Sequence, residues 1–239
     1  MTYIQAPADK RLVWYLAMEE YLAKQVEEEL FITWIVSPTV IFGRHQVMEA
    51  EVNVDFCRAN GIAMYRRKSG GGCVYADEGN LMMSMISPNK HSEVVFQQFL
   101  DKISDVLRHW GLPAVKSEHN DIMVEGKKVS GNACYALSTG TIVHGTMLVD
   151  VDLDMLQQAI TPSKEKLAKH GVKSVRQRVA NLARLVTNPQ LRTSTLVANR
   201  LSDALCLYQR ELTEQEIATI DRIEQSYLDP QFIVGNIRY

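Results

Sequence analysis

The sequence lacks the features that would assign it to an unusual class of protein. It has 239 residues with only 13 glycines and 7 prolines, and 46% of its residues are hydrophobic while 23% are charged. That balance excludes disordered and fibrous classes and predicts a globular chain that buries a sizeable core. The formal net charge of -2 gives no general electrostatic reason to expect a nucleic acid or an anionic membrane as partner.

Long apolar runs are also missing. The start of the chain mixes Lys10, Arg11, Glu19 and Glu20 with its apolar residues, so it lacks the uninterrupted apolar region of a signal peptide. No run elsewhere approaches the ~20 apolar residues of a membrane helix. We therefore expect a soluble, cytoplasmic protein.

Cysteine is scarce and scattered. Cys57, Cys73, Cys134 and Cys206 show no CxxC spacing and no partnering cluster of histidines. Neither a zinc site nor a redox pair is therefore indicated, and reduced thiols are the simplest interpretation.

Apolar spacing and turn residues predict an α+β chain. Helices are predicted over residues 9–28, 54–59, 92–110, 153–159, 164–169, 191–209 and 214–227, with Asp9, Asn53 and the capping box Thr213-x-x-Glu216 at three of their starts. Strands are predicted over residues 31–36, 39–42, 62–66, 73–76, 81–86, 121–124, 128–135 and 141–149. Short turns between the strands predict hairpins, and hence a mainly antiparallel or mixed sheet flanked by helices, not a Rossmann-like alternation. We expect one domain over residues 1–239, in which residues 183–239 form a helical C-terminal portion.

The first segment with chemical potential is RRKSGGGCVY at residues 66–75, where three glycines adjoin three cationic residues. Glycines let a backbone approach a ligand closely, and their N–H groups together with Arg and Lys suit a phosphate or a carboxylate. The segment is not a P-loop, because it has no GK[ST] and a strand pattern follows the glycines. The alternative is a flexible hairpin whose cations are only solvated, and the segment alone leaves both open.

The second segment, NDI followed by GKKVSGNA, contains a lysine pair. If Lys128 begins a strand, alternation places it on one face with Ser130 and Asn132. A lysine held there could neutralise charge that develops when a carboxylate attacks the α-phosphate of ATP. The alternative is that Lys127 and Lys128 form an exposed basic turn.

The third segment is His144-Gly145-Thr146, which leads into a strand. A histidine beside a glycine in a strand could face a ligand, or it could hydrogen-bond within the sheet.

Together and in this order, the segments RRKSGGGCVYADEGNL, NDIMVEGKKVSGNA and HGTMLVDVDLDML resemble the lipoate-protein ligase A family, within the wider biotin and lipoate ligase group. GRHQ at residues 43–46 and SVRQRVANL at residues 174–182 fit the same pattern. The resemblance implies a fold similar to biotin ligases and to the catalytic core of class II aminoacyl-tRNA synthetases. It also implies a two-step reaction with ATP, Mg²⁺ and lipoic acid, in which lipoyl-adenylate forms and an acceptor lysine then attacks it. The implied acceptors are lipoyl domains of 2-oxoacid dehydrogenase E2 subunits or the glycine cleavage H protein.

The resemblance also implies roles for individual residues, with Lys128 as the catalytic lysine that touches both carboxyl and phosphate. The ATP or adenylate site is implied to include Arg67, Gly71, Gly72, Cys73, Val74, Tyr75, Asn120, Asp121 and Lys128. Lipoate is implied to contact Lys128, His144, Arg44 and Ser69, and Asp121 is the implied metal ligand. Trp34, Val40 and the apolar residues among 83–86 are candidates to line the acyl slot, with ordinary sheet core as the alternative.

Two features leave other functions open. Full-length bacterial ligases of this type carry an accessory domain after the catalytic one, whereas only residues 183–239 follow here, so we expect that domain to be missing or to be a separate accessory protein. Related octanoyltransferases and lipoyl amidotransferases work without ATP through a cysteine thioester. In one of these groups the cysteine lies just before the position equivalent to Asn120, and in another it lies well after the His-Gly strand. Here residues 111–119 contain no cysteine, and Cys206 falls in a predicted helix. The sequence therefore favours the ATP-dependent reaction. A non-enzymatic acyl- or nucleotide-binding protein is the third hypothesis.

Overall fold

The computed structural model describes residues 1–118, 120–161 and 178–235, so the helix predicted over residues 164–169 lies outside the described residues. The strands are β1 (Thr2–Gln5), β2 (Leu30–Trp34), β3 (Thr39–Phe42), β4 (Ala63–Arg66), β5 (Val74–Ala76), β6 (Asn80–Ser87), β7 (Ala114–Lys116), β8 (Asp121–Val124), β9 (Lys127–Ala136), β10 (Thr141–Leu148) and β11 (Tyr208–Glu211). The described helices are α1 (Leu12–Lys24), α2 (Met48–Glu51), α3 (Val54–Ala59), α4 (Ser92–His109), α5 (Leu153–Ala159), α6 (Ser194–Leu205), α7 (Glu214–Leu228) and α8 (Pro230–Val234). Two short 3₁₀ helices cover Leu182–Arg184 and Pro189–Leu191.

The strands form two sheets. The larger has eight strands in the order β11-β1-β2-β6-β10-β9-β8-β7, and the smaller has three in the order β4-β3-β5. The pairs from β2 to β7 in the large sheet are antiparallel, whereas β1 runs parallel to both β2 and β11. The expectation of an α+β fold with a mixed sheet flanked by helices is confirmed.

The centre of the large sheet is covered on both faces, which explains the apolar character of β6, all of whose residues are buried. On one face Met83 of β6 belongs to the same core as Phe99 of α4. On the other face Ile86 belongs to the core of Met18 from α1 and Ile32 from β2. Helix α1 and the small sheet lie on this second face, where the candidate site opens.

Several helix boundaries follow the predicted capping residues. The Asn53 side chain accepts a hydrogen bond from the backbone of Phe56 at the start of α3, and Thr213 with Glu216 forms the capping box of α7. The cap predicted at Asp9 is wrong, because α1 begins at Leu12 and Asp9 adopts a φ of 60° outside it.

The predicted hairpins among the early strands are wrong. Strands β2 and β3 belong to different sheets, and β4 and β5 both pair with β3 instead of with each other. The helix predicted over residues 191–209 is too long, because α6 ends at Leu205 and β11 begins at Tyr208 and pairs with β1. Its sequence YQRE is exposed at every position, so it offers no apolar alternation to detect.

None of the described helices has the length and apolar character needed to cross a bilayer.

Candidate active site

A cavity of about 360 Å³ opens between the small sheet and the second face of the large sheet. Trp34 of β2 pairs with Met82 of β6, Met82 pairs with Thr146 of β10, and Thr146 pairs with Gly131 of β9. These four residues all line the cavity. Neighbouring strands lie about 4.8 Å apart, so this row crosses roughly 14 Å of sheet. The side chain of Lys128 lies at its Gly131 end. The row therefore leads from the apolar side chains of Trp34 and Met82 to the ammonium group of Lys128.

Most residues singled out in the sequence meet at this cavity. Its lining includes Arg67, Gly71, Gly72, Cys73, Val74, Tyr75, Asn120, Asp121, Lys128 and His144. Ser69 and Arg44 are not among the lining residues, although the Ser69 side chain contacts His144 and the Arg44 backbone N–H donates to the Ser69 carbonyl at 3.0 Å. The grouping is geometric, and the ligand that each residue contacts remains a prediction.

The acyl-slot candidates are only partly correct. Trp34 lines the cavity, but Ile41 and Met82 line it where Val40 and Met83 were expected. Successive residues of a strand point to opposite faces, so a shift of one residue exchanges a core side chain for a cavity side chain. Met83 lies in the core under α4, and Val40 lies in the core beneath the small sheet.

A β-bulge determines where Lys128 points. Strand β8 advances by one residue from Ile122 to Met123 while β9 passes from Ser130 to Lys128, which leaves Val129 as the extra residue. The predicted grouping of Lys128 with Ser130 and Asn132 on one face is therefore wrong for Ser130, although Asn132 lines the cavity with Lys128. Lys128 lies over Gly131 on the cavity face, whereas Ser130 pairs with Ile122, a residue of the opposite core.

Asp121 holds two cations. Its Oδ1 atom lies 2.8 Å from Lys128 Nζ, and its Oδ2 atom accepts a hydrogen bond from the Arg178 guanidinium. The carboxylate is buried, and both cationic side chains are 22% exposed, so two cations meet one carboxylate at the cavity wall. The trio suits an anion. Arg178 falls in the segment SVRQRVANL, but the sequence alone assigned it no role.

The trio also bears on the predicted metal ligand. Among residues 1–118, 120–161 and 178–235, no group of three or more His, Cys, Asp or Glu side chains could hold a metal ion. Asp121 offers one carboxylate and shares it with two cations. Mg²⁺ at nucleotide sites takes one or two carboxylates together with waters and substrate phosphates. The residues fit an ion that arrives with a triphosphate, and they do not form a metal cage of their own.

Arg67 shapes the glycine loop from inside. Its guanidinium donates to the carbonyl oxygens of Gly70 at 2.6 Å and Gly72 at 2.7 Å, and to the hydroxyl of Ser69 at 3.0 Å. Burial lowers the pKa of Arg67 to about 10, so the group stays charged at neutral pH. A planar five-donor cation can bind several carbonyls at once, and it fixes the loop that faces the cavity.

Close backbone contacts explain two of the glycines. Gly71 has a φ of 89°, in the left-handed region that favours glycine. A Cβ atom on Gly43 would collide with the carbonyl oxygen of Gly71. The GRHQ segment and the glycine loop therefore pack backbone against backbone.

Arg66 links this packing to the end of the described chain. Its guanidinium donates to the carbonyls of Arg44 at 2.8 Å and Gln46 at 2.7 Å, and also to that of Phe232 at 2.9 Å. Helix α8 is thereby held behind the glycine loop. No local pattern in the sequence indicates that these adjacent arginines donate to backbone carbonyls on both sides of the loop.

The imidazole of His144 is held on both ring nitrogens. Nε2 lies 2.7 Å from Ser69 Oγ and Nδ1 lies 2.9 Å from Glu19 Oε2, while Glu19 also accepts a hydrogen bond from Ser84. His144 therefore faces the cavity with its ring and not with a nitrogen that lacks a partner. Glu19 was missed, although its spacing from Leu12 and Leu16 places it on the buried stripe of α1.

Comparison with known proteins gives the family. The family described as the lipoyl protein ligase A/B catalytic domain matches residues 13–205, and the chain belongs to it. The chain is 34% identical over 219 residues to lipoate-protein ligase LplJ of Bacillus subtilis, covering 88% of this chain and 66% of the relative. It is 40% identical over 177 residues to lipoate–protein ligase 1 of Staphylococcus aureus, covering 73% and 54%. The chain thus spans between about half and two thirds of these relatives.

Solved structures agree over a longer stretch. The fold matches a chain of the bi-partite lipoate protein ligase of Thermoplasma acidophilum, described with its E2 lipoyl domain, at 27% identity and a TM-score of 0.84, covering 100% of this chain and 97% of that one. It also matches lipoate-protein ligase A bound with ATP at 25% identity and a TM-score of 0.84, covering 99% of each chain. The family expected from the sequence motifs is confirmed.

Proposed function

We propose that this protein is an ATP-dependent lipoate-protein ligase, which forms lipoyl-adenylate and transfers the lipoyl group to a lysine of an acceptor protein. The carrying observation is the placement of Lys128 at the end of the row from Trp34 to Gly131, with its Nζ atom 2.8 Å from Asp121 Oδ1. An acyl chain laid along that row brings its carboxylate to the cation.

Activation follows from this arrangement. A carboxylate oxygen of lipoate attacks the α-phosphorus of ATP, the bond to the bridging oxygen breaks, and pyrophosphate leaves with the electron pair. Lys128 offsets the charge on the carboxylate and on the transferring phosphate, which is the contribution a fixed cation makes in a partly desolvated site. Mg²⁺ bound to the phosphates would supply further positive charge, and Asp121, which also holds Lys128 and Arg178, is the carboxylate that would contact it.

Transfer needs orientation more than charge. The ε-amine of the acceptor lysine attacks the carbonyl carbon of the mixed anhydride, and AMP leaves as the amide forms. The glycine loop held by Arg67 would keep the adenylate in place for that attack.

The relatives support the choice of substrates and acceptor. One matching structure is described as bound with ATP, another as bound with lipoic acid, and a third together with an E2 lipoyl domain. We take lipoyl domains of 2-oxoacid dehydrogenase E2 subunits as the first acceptor to test and the glycine cleavage H protein as the second. We treat residues 1–239 as one catalytic domain that works with or without a separate accessory protein. We further propose a cytoplasmic setting, where ATP is available and cysteines outside disulfides stay reduced.

The geometry disfavours an acyl thioester on Cys134 or Cys206. Burial raises the pKa of the Cys134 thiol to about 11 and does the same for Cys206, so little thiolate forms near neutral pH. Cys134 packs against the core under α4, away from the cavity face.

The test is a complete reaction. The purified protein is incubated with lipoate, ATP, Mg²⁺ and an apo lipoyl domain, and intact mass is measured with and without ATP. We expect one lipoyl group on one acceptor lysine only when ATP is present. A parallel reaction contains an added accessory protein. Acylation of the acceptor from octanoyl acyl carrier protein without ATP, together with an acyl-cysteine on this chain, would contradict the proposal.

A further inference from the structure

Arg178 stands at the same carboxylate as the proposed catalytic lysine. Asp121 gives one oxygen to Lys128 and the other to Arg178, and all three residues line the cavity. An ammonium and a guanidinium group that line one cavity side by side form a site that suits a phosphate.

The backbone fixes Arg178 in that position. Val179 forms a parallel bridge with Lys128, and the N–H of Ala180 donates to the Lys128 carbonyl at 3.0 Å. The backbone next to Arg178 is therefore hydrogen-bonded to the backbone of Lys128, so strand β9 positions both cations.

The two cations differ in where they face. Lys128 lies over Gly131, at the end of the row that begins at Trp34, whereas Arg178 meets the other oxygen of Asp121. The nearby Arg67 donates to loop carbonyls through several of its nitrogens, so its fork is largely committed to the protein. A planar guanidinium can bind two phosphate oxygens side by side, which an ammonium group cannot do in the same fixed geometry.

We propose that Arg178 is a second cation of the reaction site, which binds the terminal phosphates of ATP and holds the pyrophosphate as it leaves. Lys128 serves the carboxylate and the α-phosphate, and Asp121 positions both cations before the nucleotide binds. This assignment rests on the proposed ligase function. It predicts that Arg178 contributes to adenylation alone, whereas Lys128 contributes to adenylation and also contacts the adenylate once it has formed.

Separating the two half-reactions tests the assignment. Adenylation is followed as lipoate-dependent exchange of label between pyrophosphate and ATP, and transfer is followed with synthetic lipoyl-adenylate and an apo lipoyl domain. For Arg178→Ala we expect exchange to fall about 100-fold with a raised KM for ATP, as for the loss of one charge-stabilising donor. Transfer from supplied lipoyl-adenylate should change by less than about threefold. Arg178→Lys should recover part of the exchange.

Matched variants and binding data exclude a folding defect. Arg184→Ala removes an exposed arginine six positions further along and should leave both half-reactions unchanged. Arg178→Gln keeps most of the side-chain length and serves if the alanine variant does not fold. Direct titration with ATP gives a readout besides turnover, and we expect Arg178→Ala to bind ATP more weakly.

The outcomes separate the inference from the proposed function. Normal exchange in Arg178→Ala, or an equal loss of exchange and transfer, would overturn the role in pyrophosphate binding while leaving the ligase assignment intact. Absence of lipoate-dependent exchange in the unmodified protein, both alone and with an accessory protein added, would instead refute the proposed function.

Discussion

The side chain of Lys128 fills the space above Gly131: a Cβ atom built on Gly131 would lie 2.7 Å from Lys128 Cε. The absence of a side chain at residue 131 is therefore what lets the lysine lie flat on the cavity face and reach Asp121. A substitution at residue 131 can therefore move the Lys128 ammonium group without disturbing the fold.

Gly131→Ala should lower ligase activity without unfolding the protein. The new methyl group meets the flexible end of a lysine, which can move away, so we expect the free energy of unfolding to change by less than about 1 kcal/mol. The displaced cation should lower lipoate-dependent pyrophosphate exchange at least about tenfold. Gly79→Ala is the contrasting variant, because its Cβ would meet the backbone of Asp150 and Val151 and should destabilise the fold. Full activity in Gly131→Ala would show that the placement of Lys128 does not limit the reaction.

Arg67→Lys should destabilise the glycine loop even though the charge is kept. Lysine cannot reproduce the fork that binds Gly70, Gly72 and Ser69 together, and hydrogen bonds to a charged group contribute about 1.5–3 kcal/mol each. We expect a loss of at least about 2 kcal/mol in urea unfolding and a raised KM for ATP. Arg58→Lys, on the exposed side of α3, is the control. An unchanged unfolding midpoint in Arg67→Lys would contradict this account of the loop.

Stability should fall on acidification partly through Glu20. Burial alone would raise the pKa of Glu20, but hydrogen bonds from Lys24 at 2.8 Å and Lys68 at 2.6 Å hold that pKa below its usual 4.5. A carboxyl group with a lowered folded-state pKa contributes stability above its unfolded pKa and loses it as pH falls through the folded value. The loss should therefore begin near pH 4.5 and continue below it. Unfolding free energies measured between about pH 6 and pH 3 should decline less steeply for Glu20→Gln than for the unmodified protein; equal slopes would refute the contribution.

Cys134 should be chemically inert and dispensable. With a pKa of about 11, the thiolate fraction at pH 8 is about one in a thousand, so alkylation by iodoacetamide should be far slower than for an exposed cysteine. Cys134→Ala should keep lipoyl transfer within about threefold of the unmodified protein. Peptide mass spectrometry over a time course checks the first point. Rapid alkylation with loss of transfer would favour the cysteine-dependent alternative.

Local signals in the sequence predicted much of the fold. The caps at Asn53 and Thr213 come from hydrogen bonds within four residues, and the meander of β8, β9 and β10 comes from alternation and short turns. Long-range pairing could not be predicted in the same way. The turn at Ser37-Pro38 separates two strands equally well whether they pair or enter different sheets, and in the structure β2 pairs with β6 while β3 enters the small sheet.

The site shows the same division. The motifs identified most residues that line the cavity, because glycines and cations in short segments are visible in the sequence. The bulge at Val129 was not visible, and it reverses which neighbours Lys128 shares a face with. Glu19 and Arg178 were missed because each acts through a partner more than 50 positions away, His144 for the first and Asp121 for the second.

The central claim is that Lys128 supplies the charge for acyl activation, and lipoate-dependent exchange of labelled pyrophosphate into ATP measures that step alone. The unmodified protein, with its accessory partner where one is required, should catalyse the exchange. Lys128→Ala should lose it by about 100-fold or more while unfolding at a similar urea concentration. Normal exchange in Lys128→Ala would contradict the role given to this residue.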